Sequence, residues 1–406
     1  MSTSIGEFAR VAIYGNSKWS VRLKYLLEGK YSELLVSNAG MAIQVTSFVV
    51  EQKKPGETQN TTGTEGEKCS KVGSPRDITF DELKALYEVG EIVAVIIPKE
   101  YYITYNAIMQ QLIKCGINLN DIYNSTRMNT IPDEILENDP GLIVPFLSDS
   151  YLSYLEYHVA DHCNLNCKYC THYSPLVQEP VFTDLEKFKL DLQLLKERID
   201  DIGVIRILGG EPLLNPQLSE FITYTRRLYP KAVITVVTNG LLVDRIDHNL
   251  IKTMQRELAF FHISYYPPLE KKIGLIKQFL VENKIPFTIS PKIEKFNKTQ
   301  ILTESADEDF FYSCFQATCT CLHDGKLSPC YAPFTTKYFN RAFGKELPEN
   351  EGIDLRQSAD MPLEDLKCSL LYPLERCKYC IEGKLYDWEV IGKNSKLDDW
   401  IEQDYA

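Results

Sequence analysis

The chain has 406 residues, of which 44% are hydrophobic and 25% charged, a composition of ordinary globular proteins rather than collagenous or wholly disordered ones. Its formal net charge of −12 opposes nucleic-acid phosphates, so no nucleic-acid partner is expected. No basic leader with an apolar core opens it and no apolar run of about eighteen residues interrupts it, which predicts a cytoplasmic protein with no membrane partner.

The stretch RVAIYGNSKWSVRLKYLL reads as an apolar strand ending at Gly15, then a helix carrying Val21, Leu23, Leu26 and Leu27. Short apolar runs follow at ELLVSN and TSFVVE, and then the polar KKPGETQNTTGTEGEKCSKVGSP, expected to be a long surface loop. A helix (TFDELKALYEV), a buried strand (IVAVII) and a second helix (YITYNAIMQQLIKCG) continue the alternation. Such alternation predicts a small parallel α/β domain over residues 1–125, with 126–150 as a linker. A dinucleotide site needs glycines for the turn, for approach of the pyrophosphate and for helix packing, but GNSKWS keeps only Gly15. A docking or substrate-recognition role is therefore expected of this domain. In pattern it resembles the small Rossmann-like domains attached to some sugar-modifying enzymes of bacterial polysaccharide loci.

The middle is more regular. Strand candidates begin near Val204 (VIRILGG), Ala232 (AVITVVTNG), Phe260 (FFHISYYP) and Pro286 (PFTIS), spaced by 28, 28 and 26 residues. Between them, TDLEKFKLDLQLLKERI pairs Thr183 with Glu186 as a capping box and sets Leu185, Phe188, Leu192, Leu195 and Ile199 on one face. NPQLSEFITYTRRLYP opens with Asn215 as N-cap and Pro216 in the first turn. A strand–helix unit repeated in this way predicts a partial parallel barrel of the (β/α)6 type over residues 151–300, with its site at the C-terminal ends of the strands. The overall fold class expected is α/β, with a C-terminal extension over 301–406.

Ten of the twelve cysteines fall into two groups, 163–170 and 314–380; Cys69 and Cys115 read as plain free thiols. In a reducing compartment, clustered cysteines suggest metal ligands rather than disulfides. The first group, in HVADHCNLNCKYCTHYSP, offers Cys163, Cys167 and Cys170 with no adjacent fourth thiol. Three thiolates leave one iron of a four-iron cube open, whereas a closed zinc site would recruit His162, His172 or a distant residue.

Cys163-x3-Cys167-x2-Cys170, with Tyr169 before the third thiol, resembles the cluster loop of radical S-adenosylmethionine enzymes, and the likeness extends over about residues 150–300. It implies that an S-adenosylmethionine-binding [4Fe-4S] cluster cleaves S-adenosyl-L-methionine to a 5′-deoxyadenosyl radical. It also implies cofactor contacts: Gly209, Gly210, Glu211 and Pro212 at the methionine amino group, Asn239 in a TNG turn, and Ser264 at the ribose. Tyr169 is read either as an adenine platform or as simple packing.

Cys314-x10-Gly325-x4-Cys330 followed by Cys377-x2-Cys380 resembles the shortened auxiliary-cluster extension called twitch, related to SPASM, which implies a fully ligated auxiliary [4Fe-4S] cluster. A zinc ribbon is the alternative. Cys319, Cys321 and Cys368 are left over; one could replace Cys314 or donate hydrogen atoms.

The function expected is a radical S-adenosylmethionine oxidoreductase acting on a sugar, aminosugar or nucleotide sugar, with the auxiliary cluster as electron acceptor. The loop CNLNCKYCTHYSPL resembles that of radical enzymes of surface-polysaccharide loci. Alternatives are an epimerase or dehydratase on the same substrates, a peptide maturase, or a non-catalytic metal-binding scaffold. A ferredoxin or flavodoxin reductant is implied by the family.

Overall fold

Apolar, β-branched runs broken by Gly, Pro and Asn build the strands. The computed structural model describes residues 9–15, 20, 24, 43–50, 75–98, 105–125, 144–305, 307, 309–391 and 395–403. Cys69, the helix expected around Val21 and Leu27, and the run ELLVSN lie outside the described residues. Contacts divide the chain into two units, Met1–Asp149 and Ser150–Ala406.

In the first unit, β1 (Ala9–Tyr14), β2 (Ile43–Val49), β3 (Arg76–Ile78), β4 (Ala94–Pro98), β5 (Ile122–Ser125) and β6 (Val144–Pro145) form one sheet in the order β3-β2-β1-β4-β5-β6. All its pairs are parallel except the last, β5 with β6. Helix α1 (Phe80–Glu88) starts at a capping box, in which Thr79 Oγ1 accepts from the Glu82 amide and Glu82 accepts from the Thr79 amide. Helix α2 (Tyr105–Lys114) leads into Cys115, a half-buried free thiol. All five residues of β4 are buried, as a strand covered on both faces requires.

In the second unit the chain runs β7 (Tyr151–Ala160), α3 (Leu185–Lys196), β8 (Asp201–Gly209), α4 (Leu218–Leu228), β9 (Val233–Thr238), α5 (His248–Arg256), β10 (Phe260–Ile263), α6 (Ile273–Glu282) and β11 (Phe287–Ile289). These five strands lie side by side and parallel, the array of a partial barrel. β13 (Cys321–His323) adds a sixth parallel strand against β7, and β14 (Lys326–Ser328) and β15 (Ile353–Asp354) continue the sheet antiparallel. β12 (Lys295–Gln300) instead pairs antiparallel with β16 (Cys380–Asp387). Helices α7 (Ala332–Phe343) and α8 (Leu363–Ser369) complete the unit. The sixth parallel strand thus comes from well beyond β11 in sequence.

Two helix starts fall later than the sequence suggests. Asp184, not Thr183, caps α3, because its carboxylate accepts from two amides, Glu186 and Lys187, while the Thr183 hydroxyl donates to the His158 carbonyl. Asn215 lies ahead of α4: its Oδ1 accepts from the Gln217 amide and its Nδ2 donates to the Val159 carbonyl. Phe188, Leu192, Leu195 and Ile199 are buried as expected, in a core shared with Leu322, Leu327, Leu355 and Leu366 from beyond residue 300.

Candidate active site

Period-two alternation sorts each barrel strand into a core face and a cavity face. On β7, Leu155, Tyr157 and Val159 join the core, Tyr157 meeting Phe188 with ring centroids 4.4 Å apart, while Glu156 faces the other way. On β8, Ile205 and Ile207 are core, and Arg206 and Leu208 line a cavity of about 280 Å³. Its wall also carries Cys163, Cys167, Cys170, Gly209, Gly210, Thr238, Asn239 and Ser264, all in the strands' C-terminal halves or in the loops that follow.

The loop after β7 is held from several sides. Cys167 bridges to Val390, and the Lys168 amide donates to the Glu389 carbonyl at 2.8 Å. Tyr169 and Tyr173 take left-handed backbone, φ +63° and +54°, a conformation costly outside glycine that persists where surroundings over-determine it. The Cys163 sulfur accepts from the Leu165 amide at 3.4 Å and faces the Asn239 side-chain amide at 3.7 Å. Burial pushes Cys163 up, and Cys167 up to about 12, so loading metal here must displace protons.

GGEP earns its glycines by close approach, but the partner is the thiol loop itself. A Cβ on Gly209 would stand 2.0 Å from the Ala160 carbonyl oxygen, and one on Gly210 2.2 Å from that of His162. The Gly210 amide donates to Ala160 and the Glu211 amide to His162. Glu211 is fully buried, its Oε1 accepting from the Thr238 hydroxyl and the Leu213 amide and its Oε2 from the Asn239 amide, so it clamps the GGEP loop onto the TNG turn. Pro212 is buried at the start of a short 3₁₀ turn.

Tyr169 does not line this cavity. Its ring packs on Tyr386 at 5.0 Å, with Lys168 and Lys298 over its faces, because the positive φ turns it toward β16. His162 Nδ1 accepts from the Val181 amide at 3.1 Å. His172 lies on the cavity wall, stacked on His158 and against Tyr331, and burial holds its pKa down to about 3.

The second thiol group converges from three segments. Burial, then the neighbouring Cys377, Cys380 and Cys314, raises the Cys330 thiol well above its usual value; burial and the same neighbours raise Cys377 to about 12. Gly325, φ +77°, turns the β13–β14 hairpin as its spacing suggested. Of the leftover thiols, Cys319 lines the cavity beside Glu156, Cys321 is buried in β13, and Cys368 sits on α8 near Asp365. Among the described residues, no three His, Cys, Asp or Glu side chains close on one point as a single metal ion needs. Two sets of neighbouring thiols, half-buried except for the buried Cys167 and Cys330, are the donor chemistry of iron–sulfur clusters, three at a cavity and four gathered from three segments, and the residues fit those groups.

Several site residues carry no motif. Glu156 is 4% exposed; its Oε1 accepts from the Tyr154 hydroxyl and its Oε2 has no partner. Arg206 lies 4.0 Å from it and donates to the Tyr154 hydroxyl at 3.1 Å. The signal was present: each is the lone charge inside an apolar strand, YLSYLEYHVA and VIRILGG. The hydroxyl of Tyr331, next to Cys330, donates to Thr171 Oγ1, next to Cys170, at 2.5 Å, so one hydrogen bond ties the two thiol loops together at the cavity wall. Phe315 and Gln316 complete that wall.

Residues 157–265 match the family model "Radical SAM superfamily", which uses a [4Fe-4S] cluster and S-adenosylmethionine. The chain is 36% identical over 112 residues to a GTP 3′,8-cyclase of Helicobacter pylori (strain HPAG1), covering 26% of this chain and 34% of that one. It is 35% identical over 113 residues to human molybdenum cofactor biosynthesis protein 1, covering 26% and 17%. The chain thus spans about a third or less of these relatives. Among solved structures it is similar to BtrN in complex with AdoMet and 2-DOIA (16% identity, TM-score 0.35, covering 57% of this chain and 92% of that one) and to Streptococcus suis SuiB bound to precursor peptide SuiA (14%, 0.29, 74% and 86%). Both scores are low, and neither likeness carries an argument. No described helix is long and apolar enough to cross a membrane.

Proposed function

We propose that this chain, a radical SAM protein over residues 157–265, is an oxidoreductase that oxidises a sugar, aminosugar or nucleotide sugar. Its open cluster is held by Cys163, Cys167 and Cys170, and an auxiliary [4Fe-4S] cluster by Cys314, Cys330, Cys377 and Cys380. One observation supports this reading: a single cavity is walled by the first thiol group, by neighbours of Cys314 and Cys330 in sequence, and by the buried Glu156 with the half-buried Arg206. When bound, the first cluster with S-adenosylmethionine supplies a 5′-deoxyadenosyl radical that removes a hydrogen atom.

The chain's own residues then bind and orient. Gly209 and Gly210 bring backbone to the cavity next to the thiols, and Asn239 and Ser264 offer polar groups at the neighbouring strand ends. On the same cavity wall the half-buried Arg206 donates to a hydroxyl or phosphate oxygen, with the buried Glu156 carboxyl 4.0 Å from its guanidinium. Phe315 and Tyr331 add ring surface of the kind sugar faces pack on. A ferredoxin or flavodoxin supplies electrons, and the cytoplasm keeps the thiols reduced.

The curated relatives share the core that makes the radical, so product analysis separates their cyclisation from oxidation. The test is anaerobic reconstitution with strong reductant, S-adenosylmethionine and a panel of ring-deuterated nucleotide sugars. The expected result is deuterium in 5′-deoxyadenosine and a product with two hydrogens fewer. An isomeric product would replace oxidation by epimerisation or cyclisation, and absence of 5′-deoxyadenosine with every substrate would remove the radical chemistry altogether.

A further inference from the structure

The second thiol group has a companion that no cysteine pattern reveals. Arg376 is 2% exposed. Its Nη1 donates to the Cys380 sulfur at 3.2 Å, its Nε to Thr336 Oγ1 at 2.9 Å, and its Nη2 to the Tyr173 hydroxyl at 3.4 Å and to Gln300 Oε1. None of these acceptors is a carboxylate; the nearby Glu351 carboxylate accepts from the Arg376 backbone amide at 2.8 Å and only partly offsets the guanidinium's charge. A guanidinium stays charged in any protein environment, and a buried charge without an anionic partner is strongly unfavourable. The compensating anion is supplied once the Cys380 thiol and its neighbours become thiolates, which is what cluster ligation does.

The first group is set differently. The side chain facing the Cys163 sulfur is the neutral Asn239 amide, at 3.7 Å. Charge and hydrogen bonds at ligating sulfurs shift cluster potentials, because the reduced cluster carries one more negative charge. A cation at the sulfur favours the reduced form and raises the potential.

We infer that Arg376 is a positioning and tuning residue that poises the auxiliary cluster at a higher potential than the radical-forming one, so that it accepts an electron from the substrate rather than donating one. The inference rests on the reading of Cys314, Cys330, Cys377 and Cys380 as a cluster site. It makes the direction of electron flow a property of one guanidinium. Oxidation of a substrate alcohol then balances: one hydrogen atom goes to the deoxyadenosyl radical, one proton to a base or water, and one electron to the auxiliary iron–sulfur cluster.

The test is a redox titration of the reconstituted full chain followed by electron paramagnetic resonance, in wild type, Arg376→Lys, Arg376→Gln and Gln300→Glu. The glutamate at 300 would stand against Nη2 and cancel the field while leaving the arginine in place. In Arg376→Gln and Gln300→Glu the second signal is expected to fall by at least tenfold in its one-electron equilibrium, about 59 mV, with the first signal unmoved and Arg376→Lys closer to wild type. A second potential unchanged in both variants overturns the inference. So does loss of the second group's iron in both variants with the first retained, since the arginine would then be a structural requirement only. If wild type itself binds a single cluster, it is the cluster reading that fails.

Discussion

The two thiol groups solve the same problem by opposite means. Cys163, Cys167 and Cys170 come from one eight-residue stretch, and what holds them is a strand end, a glycine pair and a bridge to Val390. Cys314, Cys330, Cys377 and Cys380 come from segments up to sixty-six residues apart, gathered because β13 pairs with β7 and β12 with β16. The local group lines the large cavity; the dispersed group, with Cys330 buried and the other three thiols half-buried, holds Arg376 against Cys380. Proximity in sequence suits a site that must leave room for a cofactor, whereas the set of four is gathered from several directions.

The largest effect should come from removing one group at a time. Wild type is expected to bind about eight irons after anaerobic reconstitution, and a Cys163/Cys167/Cys170→Ala triple variant and Cys377→Ala about four each. Only the triple variant should lose 5′-deoxyadenosine formation entirely. If Cys377→Ala loses it as well, or if either variant keeps its full iron, the two groups are not independent sites.

Next in size is a comparison of their glycines. Gly210→Ala drives a Cβ to 2.2 Å from the His162 carbonyl, and backbone must move, at roughly 1–3 kcal/mol. The first group's iron should fall with the second retained. Gly325→Ala puts a Cβ on the Arg356 guanidinium, which moves only by giving up the Asp324 carbonyl and Asp191, on top of the cost of φ +77°, about 1–2 kcal/mol, so its loss should fall on stability rather than on the first group's iron. Iron content reads both, and equal losses of the first group's iron in the two variants would deny that Gly210 holds the first loop.

What the sequence disclosed follows the same division. The thiol loop, GGEP, the TNG turn and the strand spacing are local patterns, and the structure brings those loops to one cavity. Arg376 sits in ERCKYC and looks like any exposed charge until β12, α7 and the Tyr173 loop close around it. Glu156 and Arg206 were visible as charges in apolar strands, but only register across β7 and β8 sets them side by side. Of the two readings of Tyr169, packing is the one its ring position on Tyr386 fits, and sequence left the choice open because position beside a ligand says nothing of φ. The partner of β7's free edge, β13, is invisible to periodicity because the two are separated by more than 150 residues.

The smallest effect concerns how the second region is moored to the first. Asp191 on α3 is buried, accepting from the Gly325 amide at 2.8 Å and pairing with Arg356, so it fixes the β13–β14 hairpin to the barrel helix. Burial outweighs the arginine and raises its pKa from 3.8 to about 6. The folded chain therefore holds this proton more tightly than the unfolded chain. The contribution is fully present below about pH 4 and is lost as pH rises through about 6, on the order of 3 kcal/mol at about 1.4 kcal/mol per unit. Asp191→Asn keeps an acceptor for Gly325 but has nothing to titrate. In denaturant melts between pH 4 and pH 7, wild type should lose stability relative to the variant as pH increases. Parallel curves would mean that Arg356 keeps the carboxylate ionised throughout, and that the mooring is an ion pair rather than a shared proton.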